Sequence, residues 1–166
     1  MSEKWKKFVP WFLVVLSLLL ILGLTLQDEE GTTELSGGFL EKLIQMVQML
    51  GISEEQLNLA WWNDPGHVRK LGHVLEYFIL GLSSAFLFCK RGKKFVLKAL
   101  VFCAVVSILD QILKECLPTR HFDITDLPYD FVGYGSGVMV VAGVWGIWCL
   151  VKGRQDKLKK GLEHKR

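Results

Sequence analysis

Four long apolar segments constrain this chain more than any other feature of its sequence. They lie at about 8–26, 71–89, 95–113 and 131–151. Each is long enough to cross the ~30 Å hydrocarbon core of a bilayer as a helix. Because 51% of the residues are hydrophobic and the charges are grouped in a few blocks, the sequence predicts an all-α, polytopic membrane protein. The four transmembrane helices are predicted to form a single membrane domain over residues 1–166.

The distribution of lysine and arginine predicts how the chain crosses the membrane. Cytoplasmic segments retain an excess of these residues. If both termini are cytoplasmic, fifteen of the twenty basic residues lie inside and five lie outside. The loops 27–70 and 114–130 are then extracytoplasmic, and 152–166 is a basic cytoplasmic tail. The net charge of +3 comes from these membrane anchors, so a nucleic-acid partner is not predicted.

The first extracytoplasmic loop is predicted to contain short amphipathic helices. In FLEKLIQMVQMLG (39–51), the apolar residues fall on one face at helical spacing. Ser53 and Gln56 then form a capping-box pattern that starts a second short helix. These helices would lie on the membrane surface or cover the bundle.

Polar residues of the second and third segments reach one level of the membrane. Lys70, His73 and Tyr77 fall within a helical arc of roughly 60°, and Glu76 lies about 60° beyond His73. Asp110 lies roughly 22 Å along the third segment from its cytoplasmic start. These side chains are therefore predicted to meet in the outer third of the membrane.

The stretch before the fourth segment adds three acids and leads into glycines. Asp123, Asp126 and Asp130 are spaced i, i+3, i+7, which makes one stripe if this stretch is helical. Gly133 and Gly137 continue the same face as a small-xxx-small pattern. We expect this face to pack closely on the second or third helix and to hold the acids against the other polar residues.

The letters VGYG (132–135) also occur in potassium-channel selectivity filters. Such a filter lines a pore with backbone carbonyls. Here Phe131 stands where the filter threonine would be, and no later span follows to line a pore. Helix packing, with Gly143 and Gly146 continuing the small-residue pattern deeper, is the better interpretation.

Two interpretations of the polar residues remain open. Each intramembrane carboxylate costs on the order of 2.5–3.5 kcal/mol to insert, so the simpler one is mutual pairing. Glu76 would pair with Lys70 or His73, and Asp110 with Lys114. The second interpretation is a binding site, because three segments converge and the acids outnumber the fixed bases.

Three chemistries would suit such a site, one of them an acid–base pair of His73 with Glu76. Arg120 with Lys70 would hold a lipid phosphate. Asp126 with Asp130 would bind a divalent cation. No other cofactor is predicted, because the four cysteines lack metal-ligand spacing.

Two stretches resemble the VanZ-like membrane protein family, namely KLGHVLEY (70–77) and LDQILKECLPTRHFDITDLPYDFVGYGSG (109–137). The family has a K-x-x-H-x-x-E-Y helix and, later, an Asp-Glu-x-x-Gln element, Pro-x-Arg, and spaced acids that run into glycines. The matching residues are Lys70, His73, Glu76, Tyr77, Asp110, Pro118, Arg120, Asp123, Asp126, Asp130, Gly133 and Gly137. Gln111 replaces the family's Glu and Lys114 its Gln, which favours an internal salt bridge to Asp110.

The resemblance implies a multi-pass protein of the bacterial cytoplasmic membrane. The family's founding members are associated with low-level resistance to the lipoglycopeptide teicoplanin. The leading hypothesis is a non-catalytic envelope factor in the lipid bilayer that recognises a lipid headgroup, a lipid-linked cell-wall precursor or a lipoglycopeptide. One alternative is an integral membrane enzyme acting on a lipid-linked substrate, with His73, Glu76 and Asp126 as acid–base or metal residues. The other is a structural partner in an envelope complex.

Overall fold

The described part of the chain contains four helices and no strand. The computed structural model describes residues 3–27, 38, 42, 45, 49, 65–89, 92, 94–118 and 122–163. The helices are α1 (Glu3–Thr25), α2 (Pro65–Phe88), α3 (Phe95–Glu115) and α4 (Asp126–Glu163). Each contains a stretch long and apolar enough to cross a membrane, which confirms the predicted all-α, four-span fold. The predicted amphipathic helices of the first loop fall outside the described residues, apart from single positions.

The helix α4 begins five residues before the predicted start of the fourth span. The backbone N–H and the hydroxyl of Thr125 both donate to Asp123 Oδ1, at 2.9 and 2.7 Å, and Asp126 N–H donates to Asp123 O at 3.1 Å. These turn bonds start the helix, and Pro128 is tolerated in its first turn. The same two bonds from Thr125 lower the pKa of the Asp123 carboxyl. Residues 126–130 are therefore helical, where the sequence suggested the end of a loop.

Glycines bring α2 and α4 into backbone contact. A Cβ added at Gly133 would lie 2.5 Å from Val74 O, and one added at Gly137 would meet Phe78 O. From the other side, a Cβ at Gly81 would meet the backbone of α4. Only a residue without a side chain permits this approach. The structure thus places both predicted packing glycines against α2, and the residue numbers show that α2 and α4 run in the same direction.

The bundle is apolar outside and becomes polar inside towards one end. Along α3, Leu97, Val101 and Val105 are exposed, as expected for side chains that face lipid. The buried residues of the same helix are Phe95, Ala99, Cys103, Ser107, Asp110, Gln111 and Lys114. Its last two turns therefore present polar groups to the interior, where α2 packs against α1, α3 and α4.

Replacing Gly137 with leucine is expected to destabilise the bundle, because the new side chain would meet the backbone of α2. Overpacking of this kind costs about 1–3 kcal/mol. The midpoint of thermal unfolding in detergent should fall accordingly. Gly143→Leu is the matched control, since Gly143 lies on the same helix with open space around it. Equal losses in the two variants would contradict a specific glycine contact.

Candidate functional site

The carboxylate of Asp126 is the meeting point of three helices. Asp126 lies in the first turn of α4 and is 1% exposed. Its Oδ2 atom lies 3.3 Å from His73 Nε2 and 3.8 Å from Arg69 Nη2, both on α2. The same oxygen lies 3.6 Å from Lys114 Nζ on α3. A buried carboxylate requires such partners, because an unpaired charge is costly in a bilayer.

The Lys114 ammonium also pairs with Asp110 one turn earlier on α3. Its Nζ atom lies 3.0 Å from Asp110 Oδ2, and both side chains are almost fully buried. The other Asp110 oxygen accepts a hydrogen bond from the hydroxyl of Thr25, at the end of α1. The predicted Asp110–Lys114 pair is thus present, and it links α1 to the other three helices.

The Asp130 side chain is fully buried one turn below Asp126. Ser107 Oγ on α3 donates to Asp130 Oδ2 at 2.7 Å, and His73 Nδ1 lies 3.4 Å from Asp130 Oδ1. The His73 ring therefore lies between two carboxylates of α4. The buried Tyr77 ring is adjacent, with its centroid 6.5 Å from that of His73.

We use the name polar cluster for the side chains that meet here. Its members are Thr25, Arg69, His73, Ser107, Asp110, Lys114, Asp126 and Asp130. Four of them were predicted as site residues, and Lys114 was predicted as the partner of Asp110. The members Thr25, Arg69 and Ser107 were missed.

Other predicted site residues lie beside the polar cluster. The Lys70 ammonium lies 5.2 Å from the centroid of the Tyr129 ring, a cation–π contact. Glu76 is half-buried on α2, and Asp123 lies in the connection between α3 and α4. Arg120 lies outside the described residues.

The missed residues carried a weak signal. Ser107 lies three residues before Asp110 and seven before Lys114. The three residues therefore form a polar stripe on one face of the otherwise largely apolar α3. Arg69 shares a face with His73 at i, i+4. Thr25 has no charged residue near it in the span of α1, where Ser17 is the other hydroxyl side chain.

The polar groups are only partly satisfied. Charge-assisted N–H···O bonds are about 2.7–2.9 Å long, whereas three contacts to Asp126 span 3.3–3.8 Å. Asp126 Oδ2 and Asp130 Oδ1 make only these longer ion-pair contacts, and the amide nitrogen of the fully buried Gln111 donates no hydrogen bond. Gln111 Oε1 does accept a bond from Asp123 N–H at 3.3 Å. Both acceptors and a donor in this buried region are therefore available for further hydrogen bonds.

The predicted divalent-cation pair faces cationic side chains. Asp126 and Asp130 each lie within 3.4 Å of a ring nitrogen of His73. Within the described ranges, no three His, Cys, Asp or Glu side chains are arranged to hold a metal ion. The Asp126 and Asp130 carboxylates thus face basic side chains of the protein itself.

Comparison with known proteins agrees with this architecture. Residues 10–148 match the VanZ/LLP1 family model, a range that includes the entire polar cluster. The chain belongs to the VanZ/LLP1 family. The resemblance seen in the sequence is confirmed, and the match extends back into α1. No curated protein and no solved structure matches the chain.

Replacing Lys114 with methionine is expected to lower the free energy of unfolding by about 3–5 kcal/mol, because two buried acids lose their shared cation. Denaturant unfolding of the purified protein in detergent measures this loss. Adding Asp126→Asn to the same chain should recover part of it, since one uncompensated acid is removed.

Glu115→Gln serves as the control for Lys114→Met. It removes an exposed charge at the next position, and glutamine can still accept the hydrogen bond from Phe122 N–H. We expect its unfolding free energy to change by no more than about 1 kcal/mol. If the two variants lose equal stability, the buried pairs do not stabilise the bundle.

Proposed function

We propose that this VanZ/LLP1 protein binds a polar headgroup at its polar cluster. The ligand would be the headgroup of a lipid-linked cell-wall precursor or of a lipoglycopeptide, and binding would contribute to tolerance of glycopeptides such as teicoplanin. Family membership supports an envelope role. The observation that carries the binding proposal is the hydrogen-bonding capacity left over in the polar cluster.

The leftover groups indicate which ligand chemistry suits the site. Buried oxygens of Asp126 and Asp130 would accept from a ligand amine. The Gln111 amide would donate to a ligand carbonyl or phosphate oxygen. Cell-wall precursors and lipoglycopeptides carry amines and carbonyls together. The phosphate role expected for Lys70 with Arg120 has less support, because Lys70 lies over the Tyr129 ring.

The Arg69 side chain marks the accessible edge of the polar cluster. Its side chain is 28% exposed, whereas those of His73, Lys114 and Asp126 are at most 9% exposed. A headgroup that approaches along α2 would meet this guanidinium first. Arg69 would then bind a ligand oxygen and give up its contact with Asp126. The Asp126 carboxylate would in turn accept a hydrogen bond from the ligand amine.

The proposed location is the bacterial cytoplasmic membrane, with both termini inside. The excess of lysine and arginine in the terminal and 90–98 segments supports this orientation. With both termini inside, the polar cluster would lie towards the outer face of the membrane, where cell-wall precursors and glycopeptides are found. The cluster lies at the N-terminal ends of α2 and α4, which enter the membrane from that side.

A structural role is the second candidate, and one observation favours it. Lys114 bridges Asp110 and Asp126, so part of the cluster is already paired within the chain. In this case the polar cluster would hold the helices together for an envelope partner. The enzyme alternative has less support, because both ring nitrogens of the buried His73 face carboxylates.

The variant Arg69→Gln separates a binding role from a structural one, because Arg69 is partly exposed and makes the longest of the three contacts to Asp126. We expect normal abundance in membranes but a loss of teicoplanin tolerance in a susceptible bacterial host. Binding of teicoplanin, or of a purified lipid-linked precursor, should weaken by about tenfold, which corresponds to ~1.4 kcal/mol.

Two further variants make this test selective. Arg69→Lys keeps the positive charge and should retain part of the tolerance. Glu115→Gln changes an exposed charge on the neighbouring helix and should leave tolerance intact. If tolerance falls only in variants that lose membrane abundance, the structural role is supported. Turnover of the lipid-linked precursor would favour the enzyme alternative.

A further inference from the structure

The end of the bundle opposite the polar cluster carries exposed basic residues. Phe95 begins α3 and packs against Trp145 of α4, with ring centroids 6.5 Å apart, so this contact marks where the two helices meet at that end. Lys94 and Lys98 flank Phe95 and are exposed. Lys152 and Arg154 are exposed on α4, just beyond Trp145.

The position of Lys152 fits the headgroup layer of a bilayer. Lys152 directly follows the apolar segment 131–151, where the fourth span is expected to leave the hydrocarbon core. The headgroup layer adds about 5–8 Å to each side of the hydrocarbon core. Lysine side chains extend towards this layer while their carbon chains stay against apolar surface.

An aromatic ring supports this basic surface. The Lys152 ammonium lies 5.1 Å from the centroid of the Trp148 ring, which is half-exposed. Trp148 in turn packs on Trp145, with centroids 5.1 Å apart. Tryptophan prefers the interface between hydrocarbon and headgroups, so this arrangement suits a surface in contact with lipid.

The side chains described at this end include four basic ones, Lys94, Lys98, Lys152 and Arg154. Among the side chains described at 89–98 and 144–155, none is acidic. The helix α4 then continues unbroken to Glu163, and its sequence adds Lys157, Lys159 and Lys160 together with two acids, Asp156 and Glu163. Clusters of basic residues next to a membrane span attract anionic lipids.

We propose that Lys94, Lys98, Lys152 and Arg154 form a surface that binds anionic phospholipid headgroups. On the proposed orientation this surface faces the cytoplasmic leaflet. The lipid phosphate accepts from the ammonium and guanidinium groups, and Trp148 packs beside the glycerol region. This inference does not depend on the proposed ligand of the polar cluster.

The test is lipid retention by the full-length protein. The chain is purified in detergent, mixed with equal amounts of phosphatidylglycerol and phosphatidylcholine, and studied by native mass spectrometry. We expect phosphatidylglycerol adducts to exceed phosphatidylcholine adducts by about tenfold. In the variant K94Q/K98Q/K152Q/R154Q the two lipids should be retained about equally. Glutamine has a helix propensity similar to that of lysine and arginine, so α3 and α4 should persist.

A charge-preserving variant is the matched control. K94R/K98R/K152R/R154K keeps every positive charge and should keep the preference for phosphatidylglycerol. Absence of a preference in the wild type, or an unchanged preference in the glutamine variant, would overturn the proposal. A different outcome is that the wild type forms a dimer that is lost in the glutamine variant and shows no lipid preference. That result would overturn the proposal and assign the surface to a second copy of the chain.

Discussion

The carboxylate of Asp126 is the interaction on which the arrangement of helices depends. It is buried in the first turn of α4 and faces cationic or titratable groups from α2 and α3. Apolar contacts do not hold helices together strongly in a bilayer, because lipid tails are as apolar as leucine. Polar contacts and close packing must therefore determine how the helices meet. Through Lys114, Asp110 and Thr25, the same network reaches α1.

The close packing of α2 on α4 and the polar network support each other. Gly133 and Gly137 allow the two backbones to touch, and Asp126 and Asp130 lie on the turns that precede them. At a wider separation, the His73 ring would not lie between those two carboxylates. In return, the ion pairs fix the rotation of α4 about its axis. Neither feature would have the same geometry without the other.

The number of helices and their packing glycines were predictable from the sequence, because span length and small-xxx-small spacing are local patterns. The pair Asp110–Lys114 was predictable for the same reason, since its members are four residues apart on one helix. Hydropathy located the apolar part of α4, whereas the helix itself begins at the turn made by Asp123 and Thr125. Deeper in α4, Gly143 and Gly146 face open space, although they share the small-residue pattern.

Contacts between distant parts of the chain were harder to predict. The hydroxyl of Thr25 reaches Asp110 across eighty-five positions, and nothing near either residue in the sequence indicates that bond. For His73, Glu76 was the candidate partner nearest in sequence. The structure brings both ring nitrogens of His73 to Asp126 and Asp130, because α2 and α4 lie side by side in the same direction.

That parallel arrangement has a consequence for how the protein enters its membrane. Because α2 and α4 run in the same direction, α3 must cross the bilayer between them before they can meet. Asp110 and Lys114 are neighbours on α3 itself, so this helix crosses with its charges compensated internally. Asp126 and Asp130 gain their partners only when α2 and α3 are both in place. The cost of desolvating these two acids therefore makes the insertion of α4 depend on the helices that precede it.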